Sequence, residues 1–217
     1  MALADLEPGQ HAPAVRNHWW WRPGWETGRR FYAFHVTFEG QPELYRLIDG
    51  YRQALAETQT VTLIPDRWLH LTMQGVGFAD EIEPRTVARI ADEARAELAR
   101  APSVEAKFEG FVVADEAIVV PAEPPEPIRS LRSATRKAIG HVLCAHRVSE
   151  DPQRFRPHVS AAYIRESGSA EPYIAALRDV RPEPAHVRVR HIDLIEMHRD
   201  REMYEWRAIE KIPLAGS

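Results

Sequence analysis

Two segments of the sequence place an imidazole and a hydroxyl two residues apart. Thr72 follows His70 and Ser160 follows His158, each within a run of apolar and β-branched residues that predicts a strand. Residues i and i+2 of a strand point to the same face, so each strand would present both groups together. One imidazole can accept a proton while the other donates one, and two hydroxyls can donate hydrogen bonds to phosphate oxygens. The pattern therefore predicts phosphoester chemistry that needs no metal.

Three further residues are candidate substrate contacts. His35 and Thr37 repeat the pattern in the first predicted strand, and His35 would contact substrate if that strand adjoins a motif strand. The alternative is an ordinary pair of strand residues. Tyr163 and Trp68 are aromatic rings that could stack on a nucleobase. For Trp68, packing within the core or the cleft wall is the competing interpretation.

The predicted elements alternate between strands and helices. Apolar spacing predicts strands over 31–39, 68–74 and 157–164, two strands within 104–120, and a closing hairpin of 185–198 and 203–212. It predicts helices over 42–57, 84–100 and 170–179, and another after a proline-rich linker at 121–127. The order predicts an α+β fold of two pseudo-symmetric lobes, each an antiparallel sheet with helices outside, around a central cleft.

The first thirty residues differ in character from the rest. They are rich in proline and glycine and contain His18-Trp19-Trp20-Trp21-Arg22-Pro23-Gly24-Trp25, with four of the six tryptophans of the chain. We therefore divide the chain into an irregular tryptophan-rich arm, 1–30, and a single domain, 31–217. The arm is expected to pack on the body as a lid over the cleft, a patch for another subunit, or a structural wrap.

Composition excludes several classes of protein. A net charge of −4 argues against a uniformly basic coat for long nucleic acid, although eight Arg or Lys residues between 129 and 165 face only two acidic residues. Cys144 is the single cysteine, and no apolar run approaches the roughly 20 residues of a membrane span. The N-terminus does not resemble a signal peptide. We expect a cytoplasmic monomer without membrane contact.

The residues around both histidines resemble a known pair of signatures. The segments are Pro65-Asp-Arg-Trp-Leu-His-Leu-Thr-Met73, followed by Gly77, and Pro157-His-Val-Ser160. Together they resemble the two-histidine phosphoesterase superfamily, and more narrowly the bacterial RNA 2′,3′-cyclic phosphodiesterases, also called 2′-5′ RNA ligases. The resemblance extends over about residues 31–212 and implies a bilobal fold whose motif strands line a central cleft.

The resemblance assigns roles residue by residue. It implies that His70 and His158 are catalytic and that Thr72 and Ser160 are their hydroxyl partners. Two positions depart from the family pattern: Gly75 stands where a bulky aromatic is usual, and Tyr163 where an arginine or lysine is common. Both departures affect the expectation of which substrate is bound more than the expected reaction.

The expected function is metal-independent hydrolysis of a 2′,3′-cyclic phosphodiester on an RNA end or a small nucleotide, with no cofactor. The assignment of base and acid stays open between the two histidines. One alternative is a non-catalytic RNA- or nucleotide-binding module on the same fold. Another is a metal hydrolase, but His141, Cys144 and His146 do not have the spacing of a usual zinc site.

Overall fold

The computed structural model describes residues 1–7, 9–144, 148 and 154–216. Over these residues the helices are α1 (Pro42–Ala54), α2 (Pro84–Leu98), α3 (Pro125–Leu143) and α4 (Glu171–Leu177), with two 3₁₀ turns at Leu3–Asp5 and Asp66–Trp68. The strands are β1 (Ala14–Val15), β2 (Phe31–Thr37), β3 (Val61–Leu63), β4 (His70–Phe78), β5 (Val104–Phe108), β6 (Val112–Val113), β7 (Ala117–Glu123), β8 (His158–Ile164), β9 (Gly168–Ser169), β10 (Ala185–Val189), β11 (His191–His198) and β12 (Glu205–Pro213). No helix in the described part of the chain is long and apolar enough to cross a membrane.

Two antiparallel sheets form the body of the protein. The first has the order β12-β11-β2-β4, and the second has the order β10-β5-β7-β8-β3 with β6 beside β7. The predicted α+β class with antiparallel sheets is thus confirmed. The two motif strands lie in different sheets, β4 at the edge of the first and β8 inside the second.

The two halves of the sequence exchange elements between the sheets. Strand β3 from the first half pairs with β8, whereas the closing hairpin β11–β12 joins β2 in the first sheet. Helix α1 packs against β8 and β10, and α3 packs against β4 and α2. Each motif strand is therefore supported by elements from the other half of the chain.

The helices follow the predicted apolar stripes. The stripe of α1, Leu44, Leu47, Ile48 and Tyr51, is buried, as is the stripe of α2 from Val87 to Leu98. Both helices begin at a proline, whose fixed φ suits the first helical position. The first helix ends at Ala54, three residues before the predicted end.

Three predicted elements are corrected by the structure. The proline-rich segment is not a linker, because β7 continues to Glu123 and α3 begins at Pro125. The predicted strand over 185–198 is two strands in different sheets, separated at Arg190. The strand expected from Trp68 begins only at His70, since Trp68 ends a 3₁₀ turn.

The N-terminal arm is hydrogen-bonded to the body. Strand β1 pairs with β9, and the backbone N–H groups of Ala12, Arg16 and His18 donate to carbonyls of Val113, Asp115 and Ile164. The arm is thus more regular than predicted. Its backbone runs alongside the second sheet to the end of β8 at His18, and its last residue, Arg30, accepts a hydrogen bond from Ala79, just after β4.

Candidate functional site

The two motif strands line one cavity of about 470 Å³ between the sheets. His70 and Thr72 enter it from β4, and His158 and Ser160 enter it from β8. Leu71 and Val159, the residues between them, are buried on the opposite faces of the strands. The structure therefore brings together all four side chains that the motifs predicted.

The two imidazoles are held in the same way. Nδ1 of His70 lies 2.9 Å from the carbonyl oxygen of Trp68, and Nδ1 of His158 lies 2.7 Å from that of Arg156. A carbonyl oxygen only accepts hydrogen bonds, so each Nδ1 carries the proton and each Nε2 has a free lone pair. Both rings are thus fixed in the tautomer that can accept a proton at Nε2.

A β-bulge brings Tyr163 to the cavity face of β8. Val119 pairs with Ser160 and Ile118 with Ala162, so Ala161 is an extra residue in β8. Without the bulge, Tyr163 would point away from His158; with it, the face changes and Tyr163 lines the cavity. Periodicity alone therefore places Tyr163 on the wrong side of the strand.

A second bulge, at Met73, brings Gly75 to the face of Thr72 on β4. The carbonyl oxygen of Met73 accepts a hydrogen bond from Nε of the buried Arg132 of α3. A Cβ on Gly75 would lie 3.0 Å from the ring of Phe31, which stacks on Trp25 of the arm at 5.3 Å. Aromatic rings from β2 and the arm therefore occupy the space that a side chain at position 75 would need.

His35 lines the cavity but is held against His70. Strands β2 and β4 are neighbours, and the two imidazole rings stack with centroids 4.4 Å apart and planes 5° apart. His35 is 1% exposed, and Thr37 donates its hydroxyl hydrogen bond to Asp193. The predicted adjacency of the strands is therefore present. His35 packs on His70, and its contact with substrate stays a prediction.

The two predicted aromatic contacts have different positions. Trp68 lies outside the cavity, where its ring packs on Trp206 at 4.8 Å and its carbonyl holds His70. This position fits the alternative of packing, and the contact of Trp68 with a nucleobase stays a prediction. Tyr163 lies in the cavity, but His18 stacks on its ring at 4.2 Å, so one face is already covered.

The arm contributes side chains to the cavity that the motifs did not indicate. His18, Arg22 and Trp25 line it, together with Glu116 from the turn before β7. Arg22 forms an ion pair with Glu116. The concentration of indoles was the signal that the arm packs on the body, but the sequence does not tell which of its residues face the site.

Burial sets the protonation of the site. Burial lowers the pKa of His70 and of His18 to about 4 each, and it also lowers the pKa of His158. For Glu116, burial alone would raise the pKa, but hydrogen bonds from His18 and Trp20 outweigh it and lower the pKa to about 2. At neutral pH the cavity therefore holds uncharged imidazoles beside Arg22 and the carboxylates of Asp115 and Glu116.

In the described part of the basic segment between 129 and 165, no arginine or lysine lines the cavity that holds all four motif side chains. Arg132 and Arg136 bind Gln74 of β4, Lys137 pairs with Glu97, and Arg165 pairs with Glu202. Arg147 lies outside the described residues. Arg132, Arg154 and Arg156 line an adjoining cavity that shares Thr72, Gly75 and His158 with the first one. Among the described residues that line the first cavity, the cation is Arg22 from the arm.

No group of three or more metal-binding side chains comes together in the described residues. Of the histidine and cysteine cluster weighed from the sequence, His146 lies outside them, and His141 pairs with Glu93 on the surface. Metal independence stays a prediction.

The chain is similar to known proteins in sequence profile and in fold. The profile of the 2′-5′ RNA ligase superfamily matches residues 40–201. The crystal structure of TT0787 of Thermus thermophilus is 18% identical with a TM-score of 0.65, over 87% of this chain and 99% of that one. E. coli LigT in apo form is 16% identical with a TM-score of 0.62, over 86% and 98%. LigT complexed with 3′-AMP is 15% identical with a TM-score of 0.59, over 86% and 98%. No curated protein sequence matches the chain significantly.

Proposed function

Because this chain belongs to the 2′-5′ RNA ligase superfamily, we propose that it hydrolyses a 2′,3′-cyclic phosphodiester of an RNA end or a small nucleotide without a metal. The family supports phosphoester chemistry in general. The observation that carries the finer proposal is the matched pair of imidazoles, His70 and His158. Each donates Nδ1–H to the carbonyl two residues earlier and lines the same cavity.

The proposed reaction uses the two imidazoles in opposite protonation states. One Nε2 accepts a proton from water as the water oxygen attacks phosphorus in line with the leaving oxygen. The other imidazole, protonated at Nε2, donates that proton to the leaving ribose oxygen, so the ring opens to a phosphomonoester. The negative charge of the bound diester raises the pKa of the imidazole beside it, which counteracts the lowering by burial.

The two hydroxyls complete the arrangement. Thr72 and Ser160 each lie two residues after a histidine on the cavity face, where they can donate hydrogen bonds to the non-bridging phosphate oxygens. The cavity volume is in the range of small-molecule sites. A nucleotide ligand is further supported by the structural similarity to LigT, which has been solved with 3′-AMP.

The test is turnover of 2′,3′-cyclic mononucleotides and of oligonucleotides that end in a cyclic phosphate. Phosphorus NMR assigns the position of the product phosphate. His70→Ala and His158→Ala should each reduce kcat by at least about a hundredfold, the usual contribution of general acid–base catalysis. His186→Ala, on the exposed face of β10, is the matched control and should retain activity.

Three results would count against the proposal. Near-wild-type turnover in either purified motif variant would remove the histidine mechanism. Complete loss of activity in EDTA, restored by a divalent metal, would contradict metal independence. Tight binding of cyclic nucleotides without any turnover would favour the binding-module alternative over hydrolysis.

A further inference from the structure

The tryptophans of the arm surround a buried arginine. Arg199, in the turn between β11 and β12, is 3% exposed. Its guanidinium carbon lies 5.2 Å from the ring centroid of Trp19, 5.8 Å from Trp21 and 5.9 Å from Trp25. Tyr204 adds a fourth ring at 5.8 Å. A desolvated guanidinium within such rings is held by strong cation–π attraction, so the arm is anchored around Arg199.

The anchor fixes the backbone at one arm residue. Nη2 of Arg199 donates to the carbonyl of His18 at 3.0 Å, and Nη1 of Arg22 donates to the same oxygen at 3.1 Å. The backbone N–H of His18 donates to the carbonyl of Ile164, the last residue of β8. Both the backbone N–H and the carbonyl oxygen of His18 are thus hydrogen-bonded.

The side chain of His18 fills the space between three elements. Its ring stacks on Tyr163 of β8 at 4.2 Å with planes 23° apart. Nε2 lies 3.1 Å from the hydroxyl of Tyr204, and Nδ1 lies 3.4 Å from a carboxylate oxygen of Glu116. Both ring nitrogens therefore face polar groups of the body, and the ring face is covered by an aromatic side chain.

The rings that His18 holds reach both motif strands. Tyr204 contacts Tyr163 edge to face at 5.5 Å and contacts His70 at 6.2 Å. Tyr163 shares its face of β8 with Ser160, as the bulge requires. A displacement of His18 would therefore loosen a catalytic imidazole on one strand and a phosphate-binding hydroxyl on the other.

We propose that the N-terminal arm completes the catalytic cavity, with His18 as a positioning residue that holds Tyr163 and Tyr204 against the two motif strands. This inference rests on the proposed function, because positioning is measured through turnover. It assigns the arm a role in catalysis beyond that of a structural wrap. Arg199 is the residue that keeps the arm in this position.

Three variants separate positioning from folding. His18→Ala removes the ring between the tyrosines, and Tyr204→Phe removes only the hydroxyl that bonds it. Arg199→Lys keeps a cation among the indoles but loses the planar fork that reaches the His18 carbonyl. His186→Gln, on the exposed face of β10, is the control for loss of an imidazole. Tryptophan fluorescence and thermal unfolding report whether the arm stays packed.

His18→Ala should lower kcat for a 2′,3′-cyclic mononucleotide by roughly 10- to 100-fold, with KM changed less than about threefold, because misplaced groups lose transition-state stabilisation. Tyr204→Phe should lower kcat in the same direction by a smaller factor, and Arg199→Lys should lower it together with a shift in tryptophan fluorescence. Unchanged kcat in His18→Ala overturns the inference, and so does a change confined to KM. If His18→Ala does not fold, Tyr204→Phe decides between the same outcomes.

His158→Ala in the same assay keeps this test distinct from the proposed function. An active His158→Ala enzyme means that the proposed function fails, whatever the arm variants do. An inactive His158→Ala enzyme with a fully active His18→Ala enzyme means that only the role of the arm fails.

Discussion

Four histidines that line the cavity should make this protein sensitive to mild acid. Burial lowers the pKa of His18 and His70 to about 4, and burial lowers the pKa of His158 as well. Burial, with the neighbouring His70, holds the pKa of His35 well below its usual range. In the unfolded chain these imidazoles regain a pKa near 6.5. Between these values the unfolded state binds protons that the folded state does not, so acid favours unfolding.

The size of the effect follows from the pKa values of His18 and His70. A pKa that falls from 6.5 to about 4 on folding costs about 2 kcal/mol of stability between about pH 8 and about pH 5. His18 and His70 together therefore cost about 4 kcal/mol over this interval, and His35 and His158 add to the loss. Total stabilities of single domains are about 5–15 kcal/mol. The stability is fully present above the unfolded pKa and is lost as the pH falls toward the folded one.

The carboxylates do not mask this effect within the interval. The pKa of Glu116 is lowered to about 2, because bonds from His18 and Trp20 outweigh burial, which alone would raise it. Its contribution is therefore lost only in stronger acid, below the ordinary range of a carboxyl group. Between about pH 8 and about pH 5, the change in unfolding free energy therefore comes mainly from the histidines.

The measurement is urea unfolding at a series of pH values. In His18→Gln and His70→Gln, the change in unfolding free energy between about pH 8 and about pH 5 should shrink by about 2 kcal/mol each. His186→Gln, where the imidazole is exposed on β10, should keep the wild-type pH dependence. An unfolding free energy that stays constant or rises as the pH falls would refute the neutral state of these histidines in the folded protein.

Three further changes have expected outcomes. His35→Phe keeps a ring stacked on His70 and should hold kcat within about threefold, whereas His35→Ala should lower kcat about tenfold through loss of orientation, as steady-state kinetics would show. Gly75→Ala places a Cβ 3.0 Å from the Phe31 ring and should cost about 1–3 kcal/mol in urea unfolding. Binding of 3′,5′-cyclic AMP, a diester probe, should be accompanied by proton uptake of up to about one proton at the imidazoles of the cavity, as calorimetry in two buffers would measure.

The placement of the four motif side chains in one cavity was predictable from the sequence. The spacing of His70 from Thr72 and of His158 from Ser160 places each pair on one strand face in the structure, as period-two alternation requires. The stripes of α1 and α2 are buried as predicted. Strand alternation and helix stripes are local patterns, so they hold for any arrangement of the strands and helices.

The features that the sequence did not predict depend on contacts between residues that are distant in the chain. Each bulge adds one residue to a strand and reverses every later side chain, and nothing in the local sequence marks Ala161 or Met73 as the extra residue. Proline-rich composition suggested a linker at 121–127, yet the first three of these residues belong to a strand and Pro125 opens α3. Prolines suit both a linker and the first turn of a helix, and only tertiary packing decides between them.

The charges of the cavity decide how an anion would be held there. Its charged lining residues are Arg22, Asp115 and Glu116, and both carboxylates also form ion pairs with Arg16, at 3.2 and 3.1 Å. Arg22 is paired with Glu116, and burial keeps the imidazoles uncharged. In the proposed reaction, a bound phosphodiester would favour protonation of one imidazole, and that proton is the one donated to the leaving oxygen. The same coupling explains how a chain with a net charge of −4 would bind one phosphate within a cavity without a basic surface that follows a long nucleic acid.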